Sequence, residues 1–154
     1  MGKIKALVRA SSGYVSRTSE KAPALRVGTT LQLQRPGQEV GAWQCERLLG
    51  KGNWASVYML RRVKTSGDLL SGLDDVADSQ LQRIALKVLG EANVWEMYVS
   101  SALQSALKDT AKSTFTKFES VVDMKHGTWL LSGYKAQSSL QQVLIVIMYQ
   151  HLFG

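Results

Sequence analysis

Apolar and polar residues alternate along several stretches of the chain, and this period of two predicts most of its strands. The alternation is clearest from Leu25 to Gln34, and it ends at the turn-forming Arg35-Pro36-Gly37. This segment is either an additional strand packed on the domain or an extension outside it. The other predicted strands are Trp43–Leu48, Val57–Val63, Arg83–Leu89, Phe115–Val122 and Thr128–Leu131.

Two of these predictions carry more detail. The unbroken apolar run Ile84–Leu86 indicates that its strand is buried on both faces. Lys125-His126-Gly127 predicts the turn between the last two strands. The first 24 residues show no sustained period, so we expect no regular structure there. The polar stretch Lys64–Gln80 is expected to form a solvated loop.

Helical spacing occurs in two segments. Asn93 is a suitable N-cap, and the apolar positions that follow it keep to one side of a helix: Trp95, Val99, Ala102, Leu103, Ala106 and Leu107. A second amphipathic helix is predicted over residues 140–152. Consecutive strands with one inserted helix predict an α+β fold with an antiparallel sheet.

Composition and charge narrow the possible partners. The 154 residues suffice for one domain, and five of the seven excess positive charges lie within residues 1–41. A nucleic-acid partner is not expected because the remainder is nearly neutral, so such binding would have to use that basic segment. The longest apolar run, Val143–Tyr149, is too short for a membrane span, and no membrane partner is expected. Cys45 is the one cysteine, which favours a reducing compartment over secretion.

The candidate chemistry lies in a Gly-x-Gly turn and a lysine at the end of an apolar strand. Gly50 and Gly52 would let backbone N–H groups approach phosphate oxygens, and Lys87 would supply a compact cation. Each has a structural alternative, since the glycines also suit a tight turn and Lys87 also suits an exposed strand end. Glu96 either pairs with Lys87 or, three residues after Asn93, closes a capping box.

These motifs, in this order, resemble the N-terminal lobe of a eukaryotic protein kinase. Leu49–Tyr58 resembles its Gly-rich loop, Ile84–Lys87 its third-strand motif, and Glu96 the glutamate of its αC helix. The resemblance implies a five-stranded antiparallel sheet plus an αC helix. It also implies that Val57 and Ala85 contact the adenine of ATP, and that Glu96 orients Lys87 toward the phosphates. The implied nucleotide contacts are Leu49, Gly50, Lys51, Gly52, Asn53, Trp54, Ala55, Ser56, Val57, Ala85 and Lys87, with Lys87 and Glu96 as the catalytic pair.

A narrower resemblance is to the Bub-type mitotic checkpoint kinases. It rests on Ala92-Asn93-Val94-Trp95-Glu96-Met97-Tyr98, on the short gap between Lys87 and Glu96, and on Ala55 in place of the third loop glycine. The stretches Phe115–Phe118 and His126–Leu131 resemble that family's fourth and fifth strands, and Gly133–Gln137 its hinge. The resemblance implies a serine/threonine kinase that uses ATP and magnesium in spindle-checkpoint signalling. The implied partners are checkpoint and kinetochore proteins, and the implied location is the nucleus, the kinetochore or the cytoplasm.

The sequence contains neither a His-Arg-Asp-type catalytic loop nor an Asp-Phe-Gly motif. We therefore expect a basic, partly disordered extension over 1–40, a kinase-like lobe with its hinge over 41–137, and a truncated αD-like helix over 138–154, with the C-lobe absent. Such a chain should bind ATP weakly, hold no magnesium ligands and transfer no phosphate. No Cys/His cluster has metal-ligand spacing, so no metal site is expected. The alternative function is a non-catalytic scaffold that docks partners through the αC face or the apolar face of 140–152.

Overall fold

A computed structural model of the chain describes residues 2–63, 82–91, 93–112 and 115–134. These residues form the helices α1 (Gly2–Arg9), α2 (Trp95–Ala106) and α3 (Asp109–Lys112) and the strands β1 (Tyr14–Arg17), β2 (Thr30–Gln34), β3 (Val40–Lys51), β4 (Ala55–Val63), β5 (Arg83–Leu89), β6 (Phe118–Met124) and β7 (Gly127–Gly133). The predicted loop Lys64–Gln80, the predicted helix over 140–152 and most of the predicted hinge lie outside the described residues. Within those residues, no helix has the length and apolar character needed to cross a membrane.

The described strands form one curled sheet in the order β1-β6-β7-β5-β4-β3-β2. Strands β3 to β7 pair with one another in antiparallel fashion, as the sequence predicts. The expectation of five strands is nevertheless wrong, because β2 pairs with β3 and β1 pairs in parallel with β6. The sheet is therefore mixed, with an extra strand at each edge, and both extra strands come from the basic N-terminal segment.

The expectation of no regular structure before residue 24 is wrong for α1 and β1. Val8 of α1 is buried at 4% exposure among side chains of the main domain. Gly13 lies so close to β6 that a Cβ atom there would overlap the carbonyl oxygen of Glu119. Its own carbonyl accepts a hydrogen bond from the backbone N–H of Val121 at 2.8 Å. The N-terminal segment, which shows no periodicity in the sequence, thus packs against β6 through a close backbone contact that only glycine allows.

The alternating segment after residue 25 is a strand of the domain, although it begins later than the sequence predicts. Its regular part starts at Thr30, after Gly28 at a φ of 89°. Leu31 and Leu33 are buried and their neighbours are exposed, which confirms the period of two. Just past β2, the Arg35 guanidinium donates to Glu119 Oε2 at 2.9 and 2.7 Å. This ion pair links one edge of the curled sheet to β6, near its other edge.

Apolar side chains form a core on each face of the sheet. The larger cluster includes Trp43, Cys45, Leu60 and Trp129, and the smaller one joins Leu89, Val94, Met97, Val121 and Leu130 to Val8. The prediction that β5 is buried on both faces is wrong. Ile84 and Leu86 on one face are fully buried, whereas Ala85 and Lys87 on the other are half-buried. The half-buried face of β5 carries the candidate chemistry.

The buried side of α2 also differs from the sequence prediction. Met97 and Ser100 are buried, whereas Trp95 and Leu103 are 47% and 36% exposed. Polar residues occupy the inner side because they bind backbone carbonyls of the connection to β6: the Ser100 hydroxyl donates to Thr116 O at 2.9 Å, and the Gln104 amide donates to Lys112 O at 3.2 Å. The apolar positions counted along the sequence therefore lie largely on the outer side.

Candidate functional site

The strand register brings the predicted site residues to one face of the sheet. Val57 is opposite both Gly50 and Lys87, and Ala85 is opposite Met59. Directly opposite residues in an antiparallel pair project to the same face, as do residues two apart in one strand. Val57, Ala85 and Lys87 therefore share a surface that begins at the Gly-rich turn, and α2 packs further along this same face.

Lys87 and Glu96 form a close ion pair on this face. The Lys87 ammonium donates to Oε1 and Oε2 of Glu96 at 2.8 and 2.6 Å. Their side chains are 27% and 24% exposed, so the pair is partly shielded from water and remains open on one side. An ammonium held by a carboxylate in this way keeps a fixed position at the end of an apolar surface. Lys87 is therefore not a loose lysine on an exposed strand end.

The hydrogen bonds of Asn93 decide between the two roles of Glu96. In a capping box Glu96 would accept the backbone N–H of Asn93, but Thr128 Oγ1 accepts that N–H at 2.9 Å. Asn93 Oδ1 instead accepts the backbone N–H of Trp95 at 2.9 Å, which satisfies a donor of the first turn. The prediction of Asn93 as the N-cap is wrong, because α2 begins at Trp95 and its N-cap is Val94. Glu96 is thus available for Lys87, and the lysine-pairing alternative is the one the structure shows.

Thr128 is a positioning residue that the sequence gives little means of finding. It is fully buried in β7, and its hydroxyl fixes the chain just before α2. A threonine within a strand is ordinary, because its β-branched side chain suits the pleated sheet. Its partner 35 positions away becomes apparent only when β7 and the start of α2 are placed side by side.

The Gly-rich turn does not need its glycines for its own conformation. The residues at positive φ in the described part of the chain are Gly28 and Gly37, so neither Gly50 nor Gly52 uses the left-handed region. Among the described residues, a Cβ atom at Gly50 would meet nothing within 4 Å, and one at Gly52 would lie 3.8 Å from Ala55 O. The tight-turn explanation is therefore weakened. Space over the turn for something outside the chain is a better reason for glycine here.

The other predicted contacts surround this turn. Lys51, Asn53 and Trp54 are exposed, with Trp54 at 78%, whereas Ser56 is half-buried. Leu49 is half-buried at a shift of register between Leu48 and Gly50. Ala55 packs on the smaller core and is opposite Leu89. The side chains of the turn thus lie around its rim, and no other part of the described chain covers the backbone at Gly50.

A polar cluster beyond Ala85 was not predicted from the sequence. Glu46 binds Arg61 and Arg83 at 3.2 and 3.0 Å, and Arg47 donates to the Tyr134 hydroxyl at 3.3 Å. Four of these residues line an open cavity of about 460 Å³ together with Met59, which is opposite Ala85: Glu46, Arg47, Arg83 and Tyr134. The cluster extends the site face toward the start of the predicted hinge.

Cys45 lies apart from this site. It belongs to the larger core, and its side chain is 1% exposed. Burial raises the pKa of the Cys45 thiol, because a thiolate would lose its hydration there. A thiol kept neutral and inaccessible is a packing group rather than a nucleophile.

Comparison with known proteins supports the fold. No protein-family model matches the chain. Among solved structures it is similar to the crystal structure of the BubR1 kinase domain, with a TM-score of 0.65 and 16% sequence identity. The match covers 99% of this chain and 39% of the other, so the chain spans about two fifths of that kinase-domain structure. At this identity the likeness shows a kinase-like fold.

Proposed function

We propose that this chain is the ATP-binding lobe of a Bub-type serine/threonine protein kinase. The observation that carries the proposal is the Lys87–Glu96 ion pair, at 2.8 and 2.6 Å, on the same sheet face as Val57 and Ala85 and beside an uncovered Gly-rich turn. A cation, a small apolar surface and a glycine backbone are the groups that a nucleoside triphosphate needs from this side of a cleft.

Each group has a distinct task in this proposal. The half-buried side chains of Val57 and Ala85 offer the adenine an apolar surface without a bulky obstruction. Backbone N–H groups of Gly50–Val57 approach the phosphates, and Lys87 holds the α- and β-phosphates. Glu96 keeps the ammonium in place, so binding does not have to order a flexible side chain first. Magnesium, where bound, would neutralise phosphate charge, and its ligands belong to motifs that this sequence does not contain.

The same reasoning separates binding from catalysis. Phosphoryl transfer depends on positioning and on charge stabilisation around the transferred group. The catalytic-loop and Asp-Phe-Gly aspartates that provide these do not occur in the 154 residues. We therefore expect weak ATP binding, with a Kd of about 1 mM because one wall of a cleft makes few contacts, and no phosphate transfer.

The assignment to the Bub type rests on the segment Ala92–Tyr98 and on the nine-position separation of Lys87 and Glu96. It makes checkpoint and kinetochore proteins the proposed partners, and the nucleus, the kinetochore or the cytoplasm the proposed location. Both proposals follow from the sequence resemblance.

Calorimetric titration of the full chain with ATP tests the binding proposal. The wild type should bind ATP, and Lys87→Met should abolish the signal because the phosphate cation is lost. Lys117→Met is the matched control, since Lys117 is an exposed lysine before β6 and should leave affinity unchanged. Equal binding by wild type and Lys87→Met would refute the assigned site, and absence of binding by the wild type would refute the function.

A phosphate-transfer assay tests the catalytic part separately. Labelled ATP, magnesium and a generic protein substrate should give no product above background with this chain. Turnover that disappears in Lys87→Met would show that the chain is catalytically competent.

A further inference from the structure

The outer edge of β2 has none of the features that usually keep a sheet edge from pairing. The strand lies at one end of the sheet and pairs on its inner side with β3. Proteins commonly protect such edges with charged residues, proline or bulges. The residues Thr30–Gln34 include no charge and no proline, and their register with β3 is unbroken. By contrast, β1 at the opposite edge is one residue shorter and contains Arg17.

The backbone groups of every second residue of β2 point away from the sheet. Just before the strand, Thr29 O accepts the backbone N–H of Cys45 at 2.8 Å, so odd-numbered positions face β3. Thr30, Gln32 and Gln34 consequently direct their N–H and C=O groups outward. All three residues are exposed, and no other segment of the described chain forms hydrogen bonds to these backbone groups. The edge therefore offers a row of free donors and acceptors.

This row is complementary to itself. An antiparallel copy centred on Gln32 places Gln32 opposite its equivalent and Thr30 opposite Gln34. Each outward N–H then meets a C=O of the other copy, in the pattern of an ordinary antiparallel ladder. A two-fold contact of this kind uses the β2 edge of both copies, so it closes as a dimer and does not continue as a fibre.

The two ends of β2 also match each other. Arg26 and Val27 precede the strand, whereas Glu39 and Val40 follow it, and all four are exposed. In the described part of the chain, neither Arg26 nor Glu39 forms an ion pair. Antiparallel pairing places the start of one strand beside the end of the other. Opposite charges and exposed valines would therefore come together at both ends of the contact.

We propose that two copies of this chain form a dimer by antiparallel pairing of their β2 strands. The backbone hydrogen bonds supply the contact, and the opposite charges of Arg26 and Glu39 help to fix the register. Because strands of five residues bury little surface, the dimer is weak and reversible. The proposal does not depend on nucleotide binding, since Lys87 and the Gly-rich turn lie away from this edge.

Sedimentation velocity of the full chain tests the association. Between about 1 µM and about 300 µM, the wild type should show a reversible monomer–dimer equilibrium. Gln32→Pro should weaken it at least about tenfold, because the ring removes an outward N–H that β3 does not use. Gln32→Thr keeps this donor and is the matched control, which should dimerise as the wild type does. Lys87→Met should also dimerise, which separates this proposal from the nucleotide site.

Cysteine cross-linking tests the register. Gln32→Cys should form an intermolecular disulfide on mild oxidation, because opposite Cα atoms of a hydrogen-bonded pair lie about 5.5 Å apart. Thr30→Cys alone should link poorly, since its equivalent is four positions away, at about 13 Å. The same holds for Gln34→Cys alone, whereas a mixture of these two variants should link efficiently. Cys45 is 1% exposed and should remain unmodified.

Charge exchange tests the ends of the contact. Arg26→Glu and Glu39→Arg should each weaken the dimer, because like charges then meet at both ends. The combined variant should recover wild-type association. Equal association by all three variants would contradict the assigned role of these two charges.

Three further outcomes would overturn the proposal. They are a wild-type chain that stays monomeric over the whole range, whatever else its β2 edge binds, a dimer that Gln32→Pro leaves intact, and Thr30→Cys that links alone as well as Gln32→Cys does. Circular dichroism and urea unfolding of each variant distinguish a loss of association from a loss of fold. If Gln32→Pro does not fold, the cross-linking pattern decides.

Discussion

At the scale of single residues, the contacts of Asn93, Glu96 and Thr128 explain how the site is held. Thr128 takes the backbone donor that Glu96 would otherwise bind, and Glu96 is then free to hold Lys87. The buried Thr128 hydroxyl thus occupies the Asn93 N–H, with which Glu96 would otherwise close a capping box. The two candidate roles of Glu96, equal in the sequence, are separated by this one hydrogen bond.

The glycines of the turn can be tested apart from the fold. Gly50→Ala and Gly52→Ala should leave stability unchanged or raise it by up to about 1 kcal/mol, because an added Cβ meets open space and restricts the unfolded chain. Each should lower ATP affinity, by about tenfold, because the methyl group stands where phosphate approaches the backbone. Urea unfolding and calorimetry measure the two effects. Loss of stability with unchanged affinity would make these glycines structural.

Cys45 gives a prediction about reactivity. Because burial raises the pKa of its thiol, iodoacetamide at pH 8 should modify the native chain at least about a hundredfold more slowly than the urea-unfolded chain. Mass spectrometry at timed intervals measures the two rates. Similar rates would show that the larger core is open to reagents.

At the scale of elements, docking of the N-terminal segment depends on Gly13. Gly13→Ala should destabilise the chain by about 1–3 kcal/mol, because its Cβ would collide with the backbone of β6. Gly90→Ala is the control, since no described residue lies within 4 Å of a Cβ there. Urea unfolding provides the comparison. If both variants are equally stable, β1 does not pair with β6 in solution.

The start of α2 gives a second test at this scale. Thr128→Val keeps the shape of the side chain but removes the acceptor for the Asn93 N–H, and should cost about 1–3 kcal/mol because that donor loses its partner. Thr128→Ser retains the hydroxyl and should recover most of the loss. If Thr128→Ser proves less stable than Thr128→Val, the methyl group rather than the hydroxyl stabilises this position, and the interpretation is wrong.

Several elements could be predicted from the sequence because they follow local rules. A preference that acts over a few residues explains each of three elements: the alternation around Leu31 and Leu33, the glycine turn, and the strand that ends near Lys87. The docking of α1 and β1 was missed because it depends on contacts between segments that are far apart in the sequence. These contacts are the pairing of β1 with β6, the packing of Val8 and the close approach at Gly13.

The buried side of α2 was missed for a different reason. Ser100 faces inward because carbonyls of a distant connection need donors, whereas Trp95 can remain half-exposed. Hydrophobic periodicity counts apolar residues and does not register such polar contacts. The candidate site residues could be proposed from the sequence because their order and spacing resemble a family pattern. The polar cluster around Glu46 has no such pattern.

At the scale of the whole molecule, one face of the curled sheet stabilises the fold and the other carries the candidate site. Its larger core, which includes Trp43 and Trp129, holds the fold together and carries no exposed chemistry. The opposite face holds Lys87 at the end of a short apolar surface, with α2 packed beside it. The basic N-terminal segment adds a strand to each edge and a helix next to α2, so it is a structural part of the domain as well as a source of charge.

The most direct test of the central claim is an ATP titration of the isotope-labelled chain, followed residue by residue in amide NMR spectra. We expect the largest shifts at Gly50, Gly52, Val57, Ala85 and Lys87, saturating at about millimolar ATP, and their disappearance in Lys87→Met. Adenosine should shift Val57 and Ala85 but not the glycines, because it lacks phosphates. Shifts confined to the basic residues of α1, or none on the Lys87 face, would contradict the assignment of this face to ATP.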